Sequence, residues 1–300
     1  MYQNDKGGVA VDIGTIAVIG GDERFAILAS LLAQDGHTVF GAGFDIKPEL
    51  ADGVVLTDPL TAALMAQSVI LPLPPTSDGI KLSAPLSYED VPLDERLCLA
   101  LERSRVYCGM PHRLAAVSER YGKLQCRDYS TQESFLLLNA QLTVEAALML
   151  AIKHLPVSLF GTRCLVTGYG RIGRAMALAL RSLGAEVTIA ARREEHFAHA
   201  KTLGLGCCTY AALPACVEQY RLVVNCADAL VLSSDVIAAM DSDALIIDLA
   251  SLPGGTDFAF VRERGITALH ALGLPGKYAP LSAAQIIKDT VTAMIEEEFH

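Results

Sequence analysis

The residues with the clearest chemical meaning are Gly168, Tyr169, Gly170, Arg171, Ile172 and Gly173, which fit the spacing Gly-x-Gly-x-x-Gly. Each glycine has a physical task. Gly168 permits a tight turn, Gly170 lets backbone approach a pyrophosphate, and Gly173 lets a helix pack closely on a strand. The anion would rest on the N–H groups at the helix N-terminus. About 20 residues past such glycines, an Asp or Glu would hold the ribose 2′-hydroxyl of NAD. This chain reads Ala190-Ala191-Arg192-Arg193 there, and Glu194 and Glu195 come only after the arginines. Two guanidiniums suit a 2′-phosphate, to which Arg donates a forked pair of hydrogen bonds. NADP is therefore the expected cofactor, with NAD as the alternative. The competing reading of Arg192 and Arg193 is a solvated helix start.

Three further loops carry groups suited to an anionic ligand. Gly20-Gly21-Asp22-Glu23-Arg24 follows an apolar run near the start. Its carboxylates would repel a pyrophosphate, so a second dinucleotide site is not expected there. Arg24 is either an anion clamp or half of a surface salt bridge. The stretch from Asp248 to Asp257 (DLASLPGGTD) brings backbone N–H groups close to a ligand at Gly254-Gly255, and Thr256 is expected to cap the helix that follows. The stretch from His270 to Pro280 (HALGLPGKYAP) holds His270 and Lys277. Lys277 either neutralises a substrate carboxylate or is a solvated lysine. His270 is a candidate base or a structural histidine.

These loops need strands and helices to position them. Apolar runs alternate with helical spacing in two openings. In the first, Ile16 to Ile19 reads as a strand, Arg24 to Gln34 as a helix closed by Gly36, and Thr38 to Phe40 as the start of the next strand. Gly53 to Leu56 and Ser68 to Leu71 continue the series. In the second, Arg163 to Thr167 is a strand and Ile172 to Leu183 a helix with Ile172, Met176, Ala179 and Leu183 on one side. Strands follow at Glu186 to Ala190, Leu222 to Cys226, Ala244 to Leu249 and Ile266 to Leu269. Gln132 to Leu155 reads as a connecting helix, with Leu137, Leu138, Leu142, Ala146, Leu150 and Leu155 spaced for burial. Ser282 to Phe299 reads as a last helix. Residues 72–86, rich in Pro and Ser, should form a structured loop. The expected fold class is α/β, with two doubly wound parallel-sheet domains around a cleft. The first spans 1–140 plus 283–300, and the second, 141–282, is a Rossmann NAD(P)-binding domain.

Composition narrows the function classes. Three hundred residues suit about two domains, and 52% hydrophobic content supplies their cores. A net charge of −10 disfavours nucleic acid and anionic lipid as partners. No uninterrupted apolar run approaches the roughly 20 residues of a spanning helix. The stretch Ala146 to Ile152 lies between Glu145 and Lys153. The opening MYQNDKGGVAVDIG lacks the pattern of a signal peptide. A cytoplasmic location is expected. The eight cysteines form no CxxC pair, so no metal site is expected. They read as buried reduced thiols, with the adjacent Cys207 and Cys208 as a redox alternative.

The sequence resembles the dipicolinate synthase A-subunit family over nearly its whole length. The resemblance rests on Ile19-Gly20-Gly21-Asp22 with Arg24, on the LPLPPTSDG loop, and on Asn139-Ala140 with Thr143 and Glu145. It continues through Val166 to Gly173, Asp248 to Asp257, and Leu274-Pro275-Gly276-Lys277. The last two blocks are the more particular ones. The resemblance implies NADP-dependent oxidation of dihydrodipicolinate to dipicolinate, together with the B-subunit of dipicolinate synthase, in bacterial sporulation. It also implies a last helix returning to the first domain. A homo-oligomer is expected. Cofactor contacts are then expected at Gly168 to Gly173, Ala191, Arg192, Arg193, Asn225, Cys226, Leu249, Ala250, Ser251, Leu274 and Pro275. Arg24, Arg171 and Lys277 become candidates for the substrate carboxylates, and Thr76, Ser77 and Ser251 for hydrogen bonds to them. A strong base is dispensable, because loss of the ring proton gains aromaticity. One stretch departs from the family pattern: Asn225 is followed by Cys226-Ala227-Asp228, with the added charge of Asp228. The alternatives are a 2-hydroxy or 2-amino acid dehydrogenase and a non-catalytic cofactor-binding subunit.

Overall fold

A computed structural model describes residues 13–46, 49–122 and 124–298. Most of the opening read for a signal peptide, residues 1–12, lies outside them. The chain divides into two compact units, one running through Leu136 and resuming at Ala279, the other Leu137–Tyr278.

The first unit holds β1 (Ile16–Ile19), α1 (Glu23–Gln34), β2 (Val39–Ala42), β3 (Val54–Leu56), α2 (Pro59–Met65), β4 (Ser68–Ile70), β5 (Lys81–Leu82), β6 (Val91–Pro92), α3 (Glu95–Leu101), β7 (Arg105–Cys108), α4 (Ala115–Tyr121) and β8 (Cys126–Asp128). Six strands form a parallel sheet in the order β3-β2-β1-β4-β7-β8. All four residues of β1 are buried, as a central strand covered on both faces requires. Three helices begin on an aspartate cap: Asp22, Asp58 and Asp94 accept from the backbone N–H of Arg24, Thr61 and Leu97. The segment 72–86 contains β5, which pairs antiparallel with β6. The strands β7 and β8 and the helices α2 to α4 have no counterpart among the elements expected from sequence. They are three to seven residues long, too short for a period to emerge.

The second unit follows through α5 (Glu133–His154), β9 (Arg163–Thr167), α6 (Arg171–Ser182), β10 (Glu186–Ala191), α7 (Glu194–Thr202), β11 (Gly206–Thr209), α8 (Leu213–Cys216), β12 (Leu222–Asn225), α9 (Ser234–Ala238), β13 (Leu245–Asp248), α10 (Phe258–Arg264), β14 (Thr267–His270) and α11 (Leu274–Tyr278). Its strands are all parallel, in the order β11-β10-β9-β12-β13-β14. This is the doubly wound order of dinucleotide-binding sheets, with the strand order reversing between β9 and β12. The last helix, α12 (Pro280–Glu296), packs on the first unit. Its Ile287, Val291 and Ile295 share a core with Phe25, Leu28 and Leu32 of α1.

Two buried faces differ from expectation. Helix α6 buries Gly173, Met176, Ala177 and Leu180, while Leu183 is exposed and Ile172 half-buried. The actual stripe is shifted by about one residue, because Gly173 is the point of closest approach to the sheet. In α5, Leu137 and Leu138 are exposed, and Ala140, Val144, Ala147 and Ala151 are buried. That helix is apolar around most of its girth, so spacing could not select a face. Among the described residues α5 is long and apolar enough to cross a membrane by length and composition. Its Val144, Ala147, Leu150 and Ala151 instead join the core of the second unit.

Candidate functional site

The turn from β9 into α6 is built by its glycines. Gly168 has φ +85°, and an added Cβ would lie 2.9 Å from the backbone of Cys226 and Ala227. A Cβ on Gly173 would meet the Gly168 carbonyl oxygen at 2.1 Å, so only glycine lets helix and turn close up. A Cβ on Gly170 would meet no heavy atom within 4 Å. Gly170 is also the N-cap, and no side chain caps the helix. The first turn of α6 therefore presents its amide end to open space at the switch point, where a pyrophosphate fits. These residues suit a dinucleotide.

The neighbouring groups sort by what their side chains already do. Tyr169 contributes backbone only: its ring is buried and its hydroxyl meets His199 Nδ1 at 3.0 Å. Arg171 and Arg192 are exposed, Ile172 is half-buried, and Ala191 is buried at the end of β10. Arg193 pairs with Glu195 at 3.2 Å, whereas Arg192 forms no ion pair among the described residues. Beside Arg192 stands Tyr210, which sequence reasoning missed. The register Ala191↔Thr209 places the two one residue past their paired strands. Burial raises the Tyr210 hydroxyl above its ordinary pKa, so it stays a hydrogen-bond donor. The signal was its position after β11, legible only once β11 was paired with β10.

The carboxyl ends of β9, β12, β13 and β14 carry a row in register: Thr167, Asn225, Asp248 and His270. The first three are fully buried. Thr167 donates to Asn225 Oδ1 at 2.6 Å, and Asn225 Nδ2 donates to Asp248 Oδ1 at 2.8 Å. Asp248 also accepts from the Ala250 and Gly255 amides, both at 2.9 Å, and from Thr256 Oγ1 at 2.6 Å. Thr256 is thus a ligand of Asp248. The cap of α10 is Asp257, which accepts from the Phe260 amide, and this corrects the expectation for Thr256. A Cβ on Gly255 would meet Asn225 Nδ2 at 2.4 Å, so this glycine is fixed by packing against the network.

The remaining expected residues divide as follows. His270 is half-buried, stacks on Phe258 at 5.0 Å, and places Nε2 2.9 Å from the Ala250 carbonyl, so Nε2 is the donor and only Nδ1 is left to accept. Ser251 and Lys277 are exposed, and Lys277 has no ion pair among the described residues. Leu249 and Ala250 are buried, as are Leu274 and Pro275. Burial, then the Asp248 charge, pushes the Cys226 thiol up. Asp228 is exposed.

Two candidate residues of the first unit already have partners within it. Arg24 donates Nε and Nη2 to Asp22 at 2.9 Å each, and Nη2 to the Leu73 carbonyl at 3.2 Å. Its Nε–Nη2 edge is thus engaged by Asp22, the salt-bridge alternative for this residue. Thr76 is buried, donates to Asp78 at 3.2 Å and accepts the Gly79 amide at 3.0 Å. Its hydroxyl builds the loop and has no proton left for a ligand. Ser77 is exposed. The described residues form no metal-holding cluster and no disulfide.

Comparison with known proteins adds the following. A family model for the N-terminal domain of the dipicolinate synthase A-subunit matches residues 15–123, and one described as "Putative NAD(P)-binding" matches 155–262. The chain is 31% identical over 290 residues to the dipicolinate synthase A-subunit of Bacillus subtilis (strain 168), covering 94% of this chain and 96% of that protein. The solved structure of the dipicolinate synthase A-subunit from Bacillus halodurans superposes with a TM-score of 0.87 at 27% identity, over 94% of this chain and 98% of that one. That of the Bacillus subtilis protein gives 0.85 at 31% identity, over 95% and 97%.

Proposed function

The chain belongs to the dipicolinate synthase A-subunit family, and from that premise we propose that it oxidises dihydrodipicolinate to dipicolinate with NADP, together with a B-subunit, during sporulation. The observation that carries this reading is the uncapped, unobstructed turn at Gly170, with Arg192 nearby and no carboxylate at the tip of β10. NADP supplies the hydride acceptor when bound. The chain's own residues bind and orient it. The Gly168–Gly173 turn receives the pyrophosphate, and Arg192 with Tyr210 receives the 2′-phosphate. The substrate gives up a hydride from one ring carbon and a proton from its neighbour, leaving an aromatic pyridine. Lys277, exposed and without an ion-pair partner among the described residues, meets one substrate carboxylate, with Arg171 as a second cation on the same sheet edge. Because the ring proton leaves with a gain of aromaticity, His270 Nδ1 or water suffices as its acceptor. A nicotinamide pool and eight cysteines suit a reducing cytoplasm.

A hydroxy-acid dehydrogenase would need an acid–base pair. His270 bonds a backbone carbonyl and forms no ion pair with a carboxylate among the described residues, which disfavours that reading. The test mixes the purified chain, with and without the B-subunit, with dihydrodipicolinate and either NADP or NAD, and follows the reduced cofactor by absorbance. NADPH formation that needs both the chain and substrate is expected, with NADP preferred over NAD. Turnover by the B-subunit alone at the same rate would reduce the chain to a non-catalytic role. Lys277→Ala should raise KM for substrate about tenfold or more, with little change in cofactor affinity.

A further inference from the structure

The row Thr167–Asn225–Asp248 contains a charge that the proposed reaction has not used. Asp248 is completely buried, yet no Lys, Arg or His among the described residues pairs with it. Its four hydrogen bonds come from neutral donors: one amide side chain, two backbone N–H groups and one hydroxyl. Such donors orient the carboxylate and stabilise it without cancelling its net charge. Its place in the sheet also matters. A dinucleotide at the β9/β12 switch point lays its adenosine half over β9 and β10, beside Arg192. Its nicotinamide half would then lie over β12 and β13. Asn225 and Asp248 are the last residues of those two strands and stand opposite each other in register. In that orientation the buried anion would lie on the side of the nicotinamide half.

We propose that Asp248 sets the redox preference of the cofactor site: its uncompensated negative charge favours the oxidised, cationic nicotinamide over the reduced, neutral one. In a water-poor setting a charge several ångströms away retains much of its effect. An enzyme that consumes oxidised cofactor and must release reduced cofactor gains from this bias at both steps. This rests on the proposal that the second unit binds a nicotinamide cofactor. Asp248 acts here as a positioning residue as well, since it holds the 250–256 loop, so a loss of affinity alone would not establish the claim.

The test is the ratio of dissociation constants for reduced and oxidised NADP, measured by fluorescence or calorimetry without substrate. Asp248→Asn keeps the shape and removes the charge. It is expected to weaken binding of both forms and to shrink the preference for the oxidised form about tenfold, or about 1.4 kcal/mol. Thr256→Val keeps the charge and removes one of its donors. It is expected to retain or enlarge the oxidised preference, and it serves as the decisive variant should Asp248→Asn not fold. Equal weakening of both forms in Asp248→Asn overturns the proposal, as does a smaller oxidised preference in Thr256→Val. If wild type binds neither form, the cofactor reading itself falls. Binding of both with an unchanged ratio sinks only the role given to Asp248.

Discussion

The two sheets share one strand order, and each has a glycine turn leading into a helix from its central strand. The turns nevertheless do opposite things. After β1, Gly20 and Gly21 both have positive φ, but the space beyond is filled from within. The Gly21 amide donates to the Ser83 carbonyl at 2.7 Å, Asp22 caps α1, and Arg24 closes on Asp22. After β9, Gly170 offers no side-chain cap, and a Cβ there would meet no neighbour within 4 Å. One turn has answered its own helix dipole with a carboxylate. The other leaves that dipole for a ligand's charge. A shared topology thus supplies two equivalent positions, and the residue at the helix cap decides which can hold an anion.

The sharpest way to break this comparison is to make the second turn like the first. In Gly170→Asp, φ of −78° and the open space accept the new side chain. Affinity for NADP should fall at least 100-fold, about 2.7 kcal/mol, while urea unfolding shows the protein about 1 kcal/mol more stable. Retained affinity would mean that the pyrophosphate does not rest there. Gly173→Ala should act on the fold itself. Its Cβ has backbone, not a flexible side chain, at 2.1 Å, so a loss of roughly 1–3 kcal/mol in urea unfolding is expected, with cofactor affinity falling alongside. The reverse experiment, Asp22→Ala, removes a cap and leaves Arg24 without its partner. Stability should drop by about 1 kcal/mol, and NADP affinity should stay within twofold of wild type. A marked change in affinity would show that the first turn is less self-contained than its hydrogen bonds indicate.

Much of this was legible in the sequence for identifiable reasons. The strands Ile16–Ile19 and Arg163–Thr167 are short apolar runs ending at glycine turns, and their limits follow from the residues alone. The Gly168–Gly173 spacing carries its own geometry, because Gly168 and Gly173 answer local steric demands while Gly170 leaves the helix end open. The site residues were less legible where a side chain had two potential partners. For Arg24, charge alone left a clamp and a salt bridge open, and the structure shows its Nε and Nη2 bonded to a carboxylate two residues away. Thr256 had the right type and position for a cap, yet bonds to Asp248, eight residues back. Tyr210 carried no motif at all.

Local steric rules, then, were written into the chain: where glycine is compulsory, where an apolar run must become a buried strand, and where two arginines replace an acidic residue. What only the tertiary structure decided was which polar groups are already spent. Asn225 and Asp248 are 23 residues apart in sequence and become opposite neighbours solely through the pairing of β12 with β13. Hydrogen-bond partners at that separation depend on strand register, and register is fixed by the packing of whole strands, not by any stretch of residues read alone.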